Sequence, residues 1–94
     1  MNIATTIRDQ IRAIDPAAFM AWGTKDLVNT GSGLQFKTSG LTRWKGYVHV
    51  ELDLGKDLYN ITFFRVRKHQ RVVDKHIEGV FAEDLVELID AQVG

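Results

Sequence analysis

Tyr47-Val48-His49-Val50-Glu51-Leu52-Asp53-Leu54-Gly55-Lys56-Asp57-Leu58-Tyr59-Asn60-Ile61-Thr62-Phe63-Phe64-Arg65-Val66 is the stretch that decides the fold. Val48, Val50, Leu52 and Leu54 alternate with Tyr47, His49, Glu51 and Asp53, the period of a strand with one buried face. Gly55-Lys56 reads as a two-residue turn with glycine first, as a type II′ hairpin requires. With Leu54 opposite Asp57, counting puts Leu52 against Tyr59, Val50 against Ile61 and Val48 against Phe63. Turn chemistry and apolar pattern therefore agree on one register. On the other face Tyr47 lies against Phe64, with Val66, His49 and Thr62 nearby.

The flanking segments read as helix, sheet and helix. Ile3, Ile7, Ile11 and Ile14 make one apolar stripe on a helix of about three turns. Asp15-Pro16 ends it, because the residue before proline avoids helical geometry, and Asp15 can cap a short second helix. Phe19, Met20 and Trp22 fit that helix or the start of a strand equally well, with Gly23 as its stop. Asn29 to Gly33 is a loop, and Leu34, Phe36 and Thr38 alternate as a strand that Lys25 to Val28 can pair with. Ser39 to Lys45 is a further connection, with Gly46 at the foot of the main hairpin. A turn at Lys68-His69-Gln70 leads to a short strand near Arg71 to Lys75. Gly79 separates the sheet from a last helix with Phe81, Leu85, Leu88 and Ile89 as its apolar side, widened by Val86 and Val93. Glu83 and Asp84 suit that helix's first turn.

Short-looped consecutive strands imply an antiparallel meander, and two amphipathic helices need a sheet face to cover. The expected fold is one α+β domain over residues 1–94. It has a three- to five-stranded antiparallel meander sheet, with an N-terminal and a C-terminal helix packed on one face.

Composition narrows the function. A chain of 94 residues buries only roughly 60–65% of its unfolded surface, so association with a partner would add welcome burial. Twelve basic and twelve acidic residues cancel, so no global field draws the chain to a polyanion or a membrane. The absence of cysteine excludes disulfides and thiol chemistry. No apolar run approaches the roughly 18 residues of a membrane span. Arg8, Asp9 and Arg12 interrupt any signal-peptide core, so a cytoplasmic protein is expected.

Little in the sequence points to catalysis. His49, on an exposed strand face, His69, in a turn, and His76 lack metal-ligand spacing. Glu51 and Asp53 share a strand face but read as solvated charges. Ser32 and Ser39 sit in turns without a nucleophile motif, and Gly31-Ser32-Gly33 is too short for a phosphate loop. No catalytic residue, metal or cofactor is expected, and the chain reads as non-enzymatic.

The basic run carries more. Arg65, Arg67, Lys68, Arg71 and Lys75 place five of the twelve cations within eleven positions, with His69 among them. Charge on an edge hairpin keeps it unpaired, which is the plain reading, and the acids Glu78, Glu83, Asp84, Glu87 and Asp90 follow. The functional reading adds the aromatics. Tyr47, Phe64 and Val66, with Trp44 beside them, form an apolar patch on the sheet's outer face, and Arg65, Arg67 and Arg71 form its rim.

Ala21-Trp22-Gly23-Thr24-Lys25-Asp26-Leu27-Val28, Gly33-Leu34-Gln35-Phe36-Lys37, Asp57-Leu58-Tyr59-Asn60-Ile61-Thr62-Phe63 and Val80-Phe81-Ala82-Glu83-Asp84-Leu85 together resemble small proteins encoded by tailed phages and prophages. The resemblance covers most of the chain beyond the first helix and brings no catalytic residues. It implies an accessory protein of a mobile element, at work in a bacterial cytoplasm. The leading expectation is binding of a protein partner, a host factor or a second copy, through Tyr47, Phe64, Val66, Arg65, Arg67 and Arg71. The second reading is single-stranded nucleic acid on the same face.

Overall fold

A computed structural model describes residues 2–39 and 42–94. Its element order is α1 (Ile3–Ile14), α2 (Ala18–Ala21), β1 (Lys25–Asn29), β2 (Gly33–Lys37), β3 (Tyr47–Asp53), β4 (Leu58–Arg67), β5 (Gln70–Val80), a 3-10 turn (Ala82–Asp84) and α3 (Leu85–Val93). Among the described residues the strands form one antiparallel meander in the order β1-β2-β3-β4-β5. The domain is α+β, with five strands where three to five were expected.

The central register is the one the alternation dictates. Val48 pairs with Phe63, Val50 with Ile61 and Leu52 with Tyr59. The turn differs. Asp53 pairs with Leu58, leaving residues 54–57 as a four-residue loop. Gly55 does not take the positive φ of a type II′ turn, whereas Asp57 does, at 54°. The Asp53 carboxylate explains the choice: its Oδ1 accepts from the N–H groups of Gly55 and Lys56, and its carbonyl accepts from Lys56 and Asp57. A loop over 54–57 and a turn at 55–56 close the same register, so the pairing held although the turn chemistry did not.

β1 pairs with β2 across the Asn29–Gly33 loop. The next hairpin turns on Lys68 and His69 alone, both left-handed (φ 51° and 64°), while Gln70 already pairs with Arg67. That is a type I′ geometry built without glycine or asparagine. The following strand is not the short one expected near Arg71 to Lys75 but eleven residues long. Two bulges hide its period. One extra residue, Asp74, separates the pairs Phe64↔Val73 and Phe63↔Lys75, and a second irregularity falls before Val80. Gly79, with φ 67°, sits in that second bulge, inside the strand rather than at its end.

The core lies on one face. Leu34, Phe36, Val48, Val50, Tyr59, Ile61, Phe63 and Val80 of the sheet meet Ile7 and Ile11 of α1 and Leu85, Ile89 and Val93 of α3. The N-cap of α1 is Asn2, whose side chain accepts from Thr5 N. Asp15, extended before Pro16, ends it and receives the N–H of Ala17 on its carboxylate. Ile14, at the end of the stripe, is left exposed. Phe19 to Ala21 is helix, not strand, and Trp22 caps it, buried flat against Phe36 with its indole N–H on Asp90 of α3. Gly23 follows at φ 59°, and any side chain there would strike the Ser39 carbonyl. Of the connection expected over 39–45, residues 40 and 41 lie outside the described residues. Phe81, expected in the last helix's apolar side, stands exposed ahead of the 3-10 turn.

Candidate functional site

Both long helices occupy the Val50/Ile61 face, so among the described residues the opposite face is covered by its own side chains. Alternation puts Tyr47, His49, Glu51, Thr62, Phe64 and Val66 there. Tyr47 and Phe64 are direct cross-strand partners and their rings stack, centroids 5.1 Å apart and 12° from parallel. The guanidinium of Arg71 covers the Phe64 ring at 3.9 Å, and Lys37 Nζ lies 5.7 Å from the Tyr47 ring centre. A cation–aromatic–aromatic–cation ladder thus crosses four strands, β2 to β5. Each cation–π contact contributes about 0.5–2 kcal/mol and the aromatic pair about 0.5–1.5. Phe64 is sealed by this arrangement, at 5% exposure, and Tyr47 is half-buried.

The row below is polar and ordered. Thr62 Oγ1 bonds His76 Nδ1 at 2.9 Å, and Thr30 Oγ1 bonds His49 Nε2 at 2.9 Å. Ser32 Oγ donates to Glu51 at 3.1 Å. His49, expected exposed, is only 9% exposed because the Thr30 loop folds over it. Its Nδ1 faces Glu51 Oε1 across 3.5 Å. Burial pulls the imidazole below its ordinary pKa, Glu51 opposes this and Arg71 adds to it. A neutral His49 is therefore the folded form, while the unfolded chain takes up a proton near pH 6.5. Stability from this group is complete above about pH 6.5 and is lost as pH falls through the lower folded value. In His49→Gln, the drop in melting temperature between pH 7 and pH 5 is expected to shrink. An unchanged drop would assign the pH dependence to other groups.

Beyond Tyr47↔Phe64 the β4–β5 hairpin continues through the pairs Arg65↔Val72, Val66↔Arg71 and Arg67↔Gln70, past the end of β3. This is a two-stranded ribbon with Val66 and Val73 about half exposed. It divides the expected site. Val66 and Arg71 lie on the ladder side. Arg65 and Arg67 share the parity of Ile61 and Phe63 and so belong to the other side. Arg65 is also engaged: its Nε and Nη2 reach Asp74 at 2.6 and 3.0 Å, and Trp44 Nε1 donates to the same carboxylate at 2.9 Å. These bonds hold the Asp74 carboxyl below its ordinary range. Trp44, expected with the outer patch, packs edge-on to Phe63 on the helix side. The Asp74 bulge thereby brings a salt bridge and an indole together at the root of the ribbon.

An open groove of about 400 Å³ runs between the ladder and the ribbon, lined by Lys37, Lys45, Gly46, Tyr47, Arg65, Val66 and Arg67. Four cations and no acid line it, and only Arg65 among them is in an ion pair with a described residue. Sequence reasoning missed Lys37 and Lys45, which sit far from the basic run and arrive through β2 and the approach to β3. Among the described residues no three of the His, Asp and Glu side chains converge as metal ligands would, and no helix is long and apolar enough to cross a membrane. No family model, curated protein or solved structure matches the chain.

Proposed function

We propose that this is a non-enzymatic binding module that takes a protein partner on the ladder face and the adjoining ribbon. Tyr47, Val66 and Val73 supply the apolar contact, Arg71 and the groove cations Lys37, Lys45 and Arg67 the charged rim. Phe64 and Arg65 act from beneath, Phe64 by holding Tyr47 and Arg71 flat and Arg65 by pinning the ribbon to Asp74. The observation that carries the reading is the ladder itself. It is a preorganised row of Lys37, Tyr47 and Arg71 laid against the sealed Phe64 ring, on the sheet face that the helices leave uncovered, and preordering lowers the entropy cost of association. A bacterial cytoplasm as the setting, with a host factor or a second copy as partner, is what the phage-type resemblance implies.

Tyr47→Ala with Arg71→Ala, checked for folding by circular dichroism, is expected to abolish capture of the partner from bacterial lysate, before and after nuclease treatment. Loss of a central aromatic anchor costs about 2 kcal/mol or more of association. Met20→Ala, on the exposed side of α2, is the control and retains capture. Undiminished capture by the double variant would remove the ladder face from the binding surface.

The second reading, single-stranded nucleic acid on this face, draws on the ribbon's four cations, Arg71 on the ladder side, Arg65 and Arg67 on the other and Lys68 in the turn. Against it, both faces of the Phe64 ring are already occupied, so a base can stack there only by displacing Arg71 or Tyr47. A labelled oligonucleotide that binds with affinity falling steeply in salt would favour this reading. No shift at micromolar protein and low salt would dismiss it.

A further inference from the structure

We infer, building on the binding-face reading, that the partner is a second copy of this chain, in a two-fold dimer where each copy's basic ribbon lies against the other's acidic C-terminal segment. The chain is neutral as a whole but strongly segregated. From 65 to 75 it carries five cations and one acid, Asp74, which Arg65 already holds. From 78 to 90 it carries five acids and no Lys or Arg. Among the described residues, Arg67, Lys68, Arg71 and Lys75 are in no ion pair, and neither are Glu83, Asp84, Glu87 and Asp90. Within one copy Arg67 and Lys68 stand at one end of β5, and Glu83 and Asp84 follow its other end, while α3 turns back so that the Val93 carbonyl accepts from the Trp44 N–H near the ribbon's root. β5 runs from the ribbon to the residue before Phe81, and its ten steps cover at most roughly 33 Å at ~3.3 Å each, less where its two bulges fall. The longest dimension of the whole molecule is 33 Å.

Each pole also offers an apolar anchor. Val66 and Val73 stand exposed among the cations, and Phe81, 56% exposed, stands beside Glu83. An apolar contact rimmed by opposite charges is the ordinary anatomy of a specific interface. The ribbon tip and the corner formed by Phe81, Glu83 and Asp84, at opposite ends of β5, are both satisfied when two copies lie side by side and antiparallel. That arrangement is two-fold and closes, whereas a head-to-tail chain leaves a pole open at each end. The zero net charge leaves no overall repulsion to oppose the pair.

Sedimentation of the purified chain tests this. The wild type is expected to dimerise at low ionic strength and to weaken about tenfold or more as salt is raised to several times the physiological level. Arg67→Glu with Lys68→Glu cancels the ribbon's net charge, leaving three cations and three acids from 65 to 75, and Glu83→Lys with Glu87→Lys leaves the C-terminal segment three acids and two cations. All four positions are outside the core, and circular dichroism verifies that both variants fold. Each alone is expected to associate more weakly than the wild type, and an equimolar mixture to associate more strongly than either, since one contact of the mixed pair is wild type on both sides and in the other the reversed charges face one another. A wild type that is monomeric throughout overturns the inference, as does a mixture that associates no more strongly than either variant alone. So does association that disappears on nuclease treatment, which would assign the ribbon to a polyanion. If either variant misfolds, the salt series on the wild type decides alone. A monomeric wild type that still captures a lysate protein through Tyr47 and Arg71 overturns the second copy as partner and leaves the binding face standing. Loss of both results removes the binding face as well.

Discussion

Phe63→Ala is expected to lower the free energy of unfolding by about 3–5 kcal/mol. Phe63 is fully buried, pairs across the strands with Val48, and takes the edge of Trp44 at 5.8 Å between ring centres. Its removal opens a cavity where sheet, helices and the Trp44 loop meet, and little there can collapse into the gap. For a domain whose total stability is on the order of 5–15 kcal/mol, that is a large share. Urea denaturation measures it as a lower midpoint at an unchanged slope. Phe64→Ala is the informative contrast. The neighbouring ring is almost as inaccessible, yet it lies on the outer face under Tyr47 and Arg71, and both can close over a smaller residue. Equal losses for the two variants would contradict a core confined to one face.

Trp22→Ala is expected to cost about 3–5 kcal/mol, and Trp22→Phe about 1–2. The indole is 1% exposed, lies 3° from parallel to Phe36 and takes Phe19 edge-on. Its N–H reaches Asp90 Oδ1 at 3.1 Å. Phenylalanine keeps a ring in the stack but gives up the hydrogen bond, whose acceptor is open to water, and the part of the indole volume that a single ring does not fill. Thermal unfolding of the pair separates packing from hydrogen bonding. A Phe variant as unstable as the Ala variant would make the Asp90 bond, not the stack, the main tie between the α2 region and α3.

What was legible followed from periodicity. The β3–β4 register rests on seven consecutive pairs of alternating residues, enough that a mistaken turn type did no harm. The Tyr47–Phe64 contact came with that register. The same parity also assigns Arg65 and Arg67 to the helix side, and grouping them with Phe64 by nearness in sequence overlooked it. They escape the core because the ribbon outruns the helices. β5 was harder to see. A bulge shifts the period by one, so Val72 and Val73 stand side by side and the alternation dissolves. Arg71 over Phe64 depends on Lys68 and His69 both adopting left-handed backbone, which no residue preference announces. His49 was misplaced because the Thr30 loop that covers it comes from another hairpin. Local pattern cannot assign Trp22 to helix or strand, because its partners, Phe36 and Asp90, lie 14 and 68 positions away.

The irregular outer strands have a consequence for the chain at high concentration. β1 breaks register between Lys25 and Val28, where Asp26 turns to φ 54°. In β5 the breaks at Asp74 and before Val80 leave regular runs such as Gln70 to Val73 and Lys75 to Ile77. Cross-β fibrils grow by copying unbroken segments of about six or seven residues, and neither rim of this sheet offers one. The exposed valines of the ribbon can therefore remain sticky toward a shaped surface while being poor templates for amyloid.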